Sequence, residues 1–204
     1  MTLLRYSLGL ALLFFLVCCG PDAPTPNTTL RTDFPAEEWH VEIDTLTNKR
    51  LQRQYLESMR RVDEALRRNE GEMRQRYGYD SKQHRNIVNR MAMLDSTHLE
   101  KIQYFLHTKG HPTMKAHGSL ATYTPMLIVE HTNARFDKGA AYFPTFYQAY
   151  RAGDLNAAVM GQFLSQLYQD RFGEHYQISG TYKEEDRIET MIPLLGLQRP
   201  APAQ

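Results

Sequence analysis

Histidine is the residue with chemical capacity that clusters most along this chain: His98, His107, His111, His117 and His131 all fall in its middle third. Imidazole ligates metals and exchanges protons near neutral pH. The spacing does not build a metal site, however. No H-E-x-x-H pattern places two imidazoles on one helical face with a carboxylate between them. His107 and His111 stand four apart, but Gly110 and Pro112 interrupt a helix there. No metal or other cofactor is expected, and capping or buried histidines are the plainer reading. Glu130 beside His131, after the apolar Leu127, Ile128 and Val129, is the most suggestive dyad, because a carboxylate and an imidazole at a helix end suit acid–base work. Consecutive helical residues nevertheless point about 100° apart, so the two do not touch. Asp170 and Arg171 end another amphipathic stretch. The arginine suits the negative end of a helix dipole, and Asp170 is expected either to pair with a basic group across the core or to hold a substrate. No G-x-S-x-G elbow, paired S-x-x-K signature or glycine-rich phosphate loop is present, so no complete catalytic constellation can be assembled.

The only cysteines, Cys18 and Cys19, close an apolar block at residues 8–17 that follows Arg5. That is the layout of a secretory signal. A membrane-spanning helix needs about 20 apolar residues, and this block is roughly half that before Pro21, Pro24 and Pro26. The sequence Leu16-Val17-Cys18-Cys19 resembles the lipobox of bacterial lipoproteins. The resemblance implies cleavage before Cys19, a thioether from its sulfur to diacylglycerol, and acylation of its amine. One acyl chain binds a bilayer only marginally, at about 0.8 kcal/mol per buried CH₂, whereas two or three make a lasting anchor. Residues 1–18 are thus expected to be a signal peptide and 19–44, rich in Pro, Thr and Asn, a lipidated flexible tether. The first partner is therefore a membrane of the bacterial envelope, inner or outer, with the body periplasmic or surface-facing. With Cys18 removed and Cys19 alkylated, the mature chain holds neither thiol nor disulfide. Losing Arg5 takes Lys+Arg from 24 to 23 against 23 Asp+Glu, a balance that gives no sign of nucleic-acid binding.

The elements that must carry these residues are read from periodicity. Leu51, Tyr55, Met59, Val62, Leu66 and Met73 predict a long amphipathic helix from about residue 45, with Gly71 marking a bend. The turn at 78–81 ends it. Ile87, Val88, Met91, Leu94, Leu99, Ile102, Phe105 and Leu106 predict one further long helix, or two collinear ones divided at 95–97, stopped by Gly110 and Pro112. A short helix or buried strand is expected over 119–130, helices over 137–152 and 155–172 with Asp154 capping the latter, and a last short helix over 184–195. The stretch 175–183 leaves a short β-hairpin or an ordered loop open. The fold class is mainly α: a single compact multi-helix domain over 45–197, followed by a tail at 198–204.

The order of these pieces resembles an uncharacterised family of bacterial helical domains, often exported or lipidated. Its marks are G-W-P-T after a helix, Q-H-x-D about 20 residues on, and a D-R helix end followed by Q-x-Y-G-T-Q. The counterparts are the stretches at 110–113, 130–133, 170–171 and 177–182. The resemblance covers roughly 95–197, carries across Gly110, Pro112, His131, Asp170, Arg171, Gln177, Gly180 and Thr181, which with Glu130 are the candidate binding residues, and supports the fold more than a function. His111, Glu130, Asn133, Ser179 and Tyr182 depart from the pattern, standing where the family has Trp, Gln, Asp, Tyr and Gln. The connector after Arg171 is also shortened. The expectation is a lipid-anchored envelope domain that binds a protein, peptide or polymer through a cleft formed by His131, Asp170 and residues 177–182. The alternative is an envelope hydrolase or transferase with Glu130 or His131 as acid–base.

Overall fold

The structure is a computed structural model that describes residues 38–132, 136–178 and 180–201. Residues 1–37, over which a signal peptide, the lipidated Cys19 and most of a tether are expected, lie outside them, as do Asn133 and Ser179. Eight helices and no strand are present among the described residues: α1 (Glu38–Asp44), α2 (Lys49–Tyr77), α3 (Lys82–Lys109), α4 (Met114–His131), α5 (Phe136–Ala140), α6 (Phe143–Arg151), α7 (Ala157–Phe172) and α8 (Glu184–Leu194). Helices α2 and α3 form a long antiparallel hairpin, with α4 laid against both. The C-terminal helices α7 and α8 pack on each other, α7 also receives α5 and α6, and α4 meets α7 to join the two groups.

Each long helix begins and ends for a local chemical reason. Asn48 Oδ1 accepts from Leu51 N at 3.0 Å to start α2, and Ser81 Oγ accepts from His84 N at 3.1 Å to start α3. Gly78 and Gly110 close them at φ 83° and 75°, a region costly for residues with a Cβ. Residues 95–97 do not divide α3, because Asp95 is engaged by Arg67 instead of capping a new helix. The apolar run before His131 is helical. Helix α4 starts on the Thr113 cap and bends at Gly118 (φ 74°), and the Thr122 and Thr124 hydroxyls donate to the carbonyls of Gly118 and Leu120 at 2.8 and 2.7 Å.

Several boundaries differ from the sequence reading. The single helix expected over 137–152 is two, α5 and α6, because Pro144 lacks the N–H needed inside a helix and sits instead in the first turn of α6. Asp154 does not cap α7. Asn156 does so, accepting from Val159 N at 2.9 Å, while Asp154 Oδ1 accepts from Met114 N at 2.7 Å and thereby secures the start of α4. The folded body also begins before residue 45. Helix α1 buries Ile43 and docks on α3: His40 stacks on Tyr104 at 4.0 Å, the Tyr104 hydroxyl donates to Asp44 Oδ1 at 3.0 Å, and Lys109 Nζ donates to the Asp44 carbonyl at 3.2 Å. No hairpin forms over 175–183. The described residues there are extended or bent and, apart from partly buried Tyr176 against Tyr168, exposed. An isolated pair of strands with no apolar face to bury is marginal in water.

The core lies where α4 crosses the hairpin and continues between α6, α7 and α8. Leu56, Ile102, Phe105, Met126, Ile128, Phe143, Phe146, Phe163, Leu164, Ile188 and Met191 are all sealed from solvent, and the Phe146 and Phe163 rings meet edge to face at 5.2 Å. Each such side chain contributes about 1.5–3 kcal/mol by leaving water.

Candidate functional site

His131 ends α4 against α2. Its Nδ1 lies 2.7 Å from Asp63 Oδ2 and also receives the Arg67 Nε–H at 2.8 Å, so carboxylate and guanidinium meet at one imidazole nitrogen. Arg67, one turn beyond Asp63, reaches Asp63 Oδ1 at 3.2 Å, Asp95 Oδ1 on α3 at 2.7 Å and the His131 carbonyl at 3.4 Å through Nη2. One guanidinium thus joins three helices. The Asp63 side chain is 1 % exposed. Burial pushes its carboxyl upward, but hydrogen bonds from His131 and Arg67 outweigh that and hold it below the usual carboxylate range. Asp95 is displaced the other way, raised by burial in spite of Arg67. His98 is also buried nearby. Burial lowers its imidazole to about 4, so it is neutral at physiological pH, and its Nδ1 meets no hydrogen-bonding partner among the described residues.

The remaining predicted site residues are not gathered around His131. Glu130 turns away to α7, where Gln162 Nε2 donates to its Oε2 at 3.0 Å, and burial raises its carboxyl to about 7. Glu130 and His131 therefore serve different interfaces, as their helical phase requires. Asp170 is exposed and accepts from Gln166 at 2.9 Å, not from a basic group across the core. Arg171 leaves Asp170 altogether. It donates to the Leu195 carbonyl and lies over the Phe136 ring at 5.0 Å, tying α7 to the end of α8. Gln177, Gly180 and Thr181 are exposed, with Gln177 bonded to the nearby His175 carbonyl. Gly110 is the α3 terminus, and Pro112 is buried in the turn before α4. No hydrogen bond or ion pair among the described residues joins His131 to Asp170 or to residues 177–182: His131 bonds to α2, and Asp170 and Gln177 to near neighbours in sequence.

The central histidines have structural roles. His117 Nδ1 accepts from Thr113 N at 2.9 Å, so Nε2 carries the proton and donates to Gln52 Oε1 at 3.1 Å. His111 packs edge-on against Phe146, and burial lowers it to about 4. No group of three His, Cys, Asp or Glu among the described residues is arranged to hold a metal.

A different feature of the hairpin is open to solvent. Val62, Ala65, Leu66 and Asn69 of α2 face Arg90, Met93, Leu94 and Thr97 of α3 across a groove of about 590 Å³. Both quartets fall at i, i+3, i+4 and i+7, the spacing of a helix-packing stripe. Val62 is 50 % and Met93 73 % exposed. In the sequence, Val62, Leu66 and Leu94 merge with the core faces. The missed signal is the matched pair of stripes, one on each helix.

No family model matches the chain, and neither a curated protein nor a solved structure matches it.

Proposed function

We propose that this chain is a lipid-anchored protein of the bacterial cell envelope whose helical body is a binding module, and that the α2–α3 groove is its recognition surface. The observation that carries this reading is the groove itself: two stripes in matched register whose apolar residues Val62 and Met93 are exposed among the described residues. The lipobox-like end at Cys19 supports the anchor, and the partner is an envelope protein or peptide. The test is co-purification from native envelope with the full-length protein, comparing wild type, Val62→Glu/Met93→Glu and Cys19→Ala. The groove variant is expected to lose bound partner while keeping wild-type helicity, and Cys19→Ala to move to the soluble fraction. An unchanged partner set would defeat the groove as the surface.

A second reading, an envelope hydrolase or transferase, is favoured by one observation. The His131 side chain is 25 % exposed and its Nδ1 sits 2.7 Å from the buried Asp63 carboxylate, a carboxylate–imidazole pair of the kind that does acid–base work. Turnover of ester, amide or glycan substrates that disappears in both His131→Ala and Asp63→Asn supports it, and wild-type inertness removes it.

A further inference from the structure

The hairpin already receives one helix. On the face that contains Leu56 and Asp63, α4 lies along α2 and closes the core, and it stops at His131 beside Asp63. Val62 and Leu66 belong to a neighbouring face, because each residue turns a helix by about 100°. The open groove is therefore a second seat on the same hairpin. Its two stripes span two helical turns, about 10 Å, enough for two to three turns of a third helix.

The rim selects the charge of that helix. Arg60 is paired with Glu64 at 2.7 Å, and Arg67 with Asp63 and Asp95. Arg61 and Arg68 at the α2 edge and Arg90 in the α3 wall are exposed and make no ion pair among the described residues. Against these three cations stand two exposed carboxylates without an ion pair among the described residues, Glu72 on α2 and Glu100 on α3, which leaves the rim net positive. A second copy of this chain would bring the same arginines face to face and is disfavoured. A flat bilayer would meet Met93 but not Leu66 and Leu94, which are recessed between the helices.

Resting on the reading of this groove as the recognition surface, we propose that its occupant is an acidic amphipathic helix of a partner protein. The helix lays apolar residues at i, i+3, i+4 and i+7 between α2 and α3, and its flanking Asp or Glu side chains meet Arg61, Arg68 and Arg90. The test uses the full chain in detergent and four probes. The first is a labelled peptide of about 18 residues, five turns, with a leucine stripe and glutamate flanks; the others are its lysine-flanked counterpart, a composition-matched scramble, and phosphatidylglycerol vesicles. The glutamate peptide is expected to bind at least about tenfold tighter than the lysine peptide and the scramble, a difference of about 1.4 kcal/mol. Val62→Glu/Met93→Glu is expected to abolish that preference, and Arg90→Glu to shift it towards the lysine peptide. Both sites are exposed, and circular dichroism establishes that the variants remain folded. Equal binding of the scramble, preference for lysine flanks, or vesicle binding that displaces the peptide would overturn the proposal. If the groove variant alters envelope co-purification while the glutamate peptide does not bind, the acidic helix is wrong and the groove reading survives. If neither responds, both fall.

Discussion

The two halves of the α2–α3 hairpin are built from the same pair of helices, yet they behave as different materials. Towards the body, α2 buries Gln52, Leu56, Met59 and Asp63, and α3 buries His98, Ile102, Phe105 and Leu106. Towards the tip, α2 buries nothing beyond Asp63, and α3 buries only His84 and Ile87. The difference is the third helix: α4 ends at His131, opposite Asp63, and beyond that point α2 and α3 pack chiefly on each other among the described residues. The histidines register the change. Burial lowers His98 and His117, whereas a hydrogen bond donated to Glu70, helped by one to the Tyr79 carbonyl, raises His84. An amphipathic stripe is sufficient to make a helix, but a neighbour on that stripe decides whether it becomes core.

The strongest way to break this comparison is to remove apolar volume from each half. Phe105→Ala is expected to cost about 3–5 kcal/mol in urea unfolding, because a sealed ring leaves a cavity. Met93→Ala should stay within about 0.5 kcal/mol. Similar losses at the two sites would erase the distinction. Next comes the boundary between them. Asp63→Ala leaves Arg67 partly buried beside His131 with only Asp95 as carboxylate partner, and should destabilise by about 3 kcal/mol at neutral pH. Because the folded-state pKa of Asp63 is depressed, its contribution is present above the ordinary value of 3.8 and is lost as pH falls through the folded value. The penalty of the variant should therefore shrink in acid. The smallest effect has the opposite sign. Glu130 is raised from 4.5 to about 7, so the carboxyl favours folding below its unfolded value and that advantage disappears as pH rises through about 7. Glu130→Gln, which still accepts from Gln162, should stabilise the protein by about 1–3 kcal/mol at pH 8 and leave it unchanged near pH 4. A pH-independent difference would place Glu130 in solvent.

Much of the helical frame was legible before any coordinates, because Leu51, Tyr55 and Met59 in α2 and Ile102, Phe105 and Leu106 in α3 repeat at helical spacing between strong caps. What escaped depended on partners distant in sequence. Asp154 has the composition of a cap for the helix after it, yet it accepts from Met114 at the start of α4, 40 residues earlier. Pro144 carried the division between α5 and α6 in plain view. The Asp63–Arg67 pair looks like an ordinary exposed i,i+4 bridge. Its one distinguishing mark is that Asp63 continues the Gln52, Leu56, Met59 face and so places a charge on a stripe due for burial. That His131 bonds to Asp63 on α2 and Asp170 to Gln166 was not readable at all, since adjacency in a motif says nothing about which partner each side chain meets.

The seating of α1 has a mechanical consequence. This segment of seven residues grips α3 through Tyr104 and Lys109, near the end where α3 stops, while the Gly78–Tyr79 turn is a full α3 length away, about 42 Å for 28 residues. Tension arriving along the N-terminal segment would load α1 first and peel it from Tyr104 before any strain reached α4. The short helix is thus the first contact such a pull would test, at the end of α3 farthest from the hairpin tip.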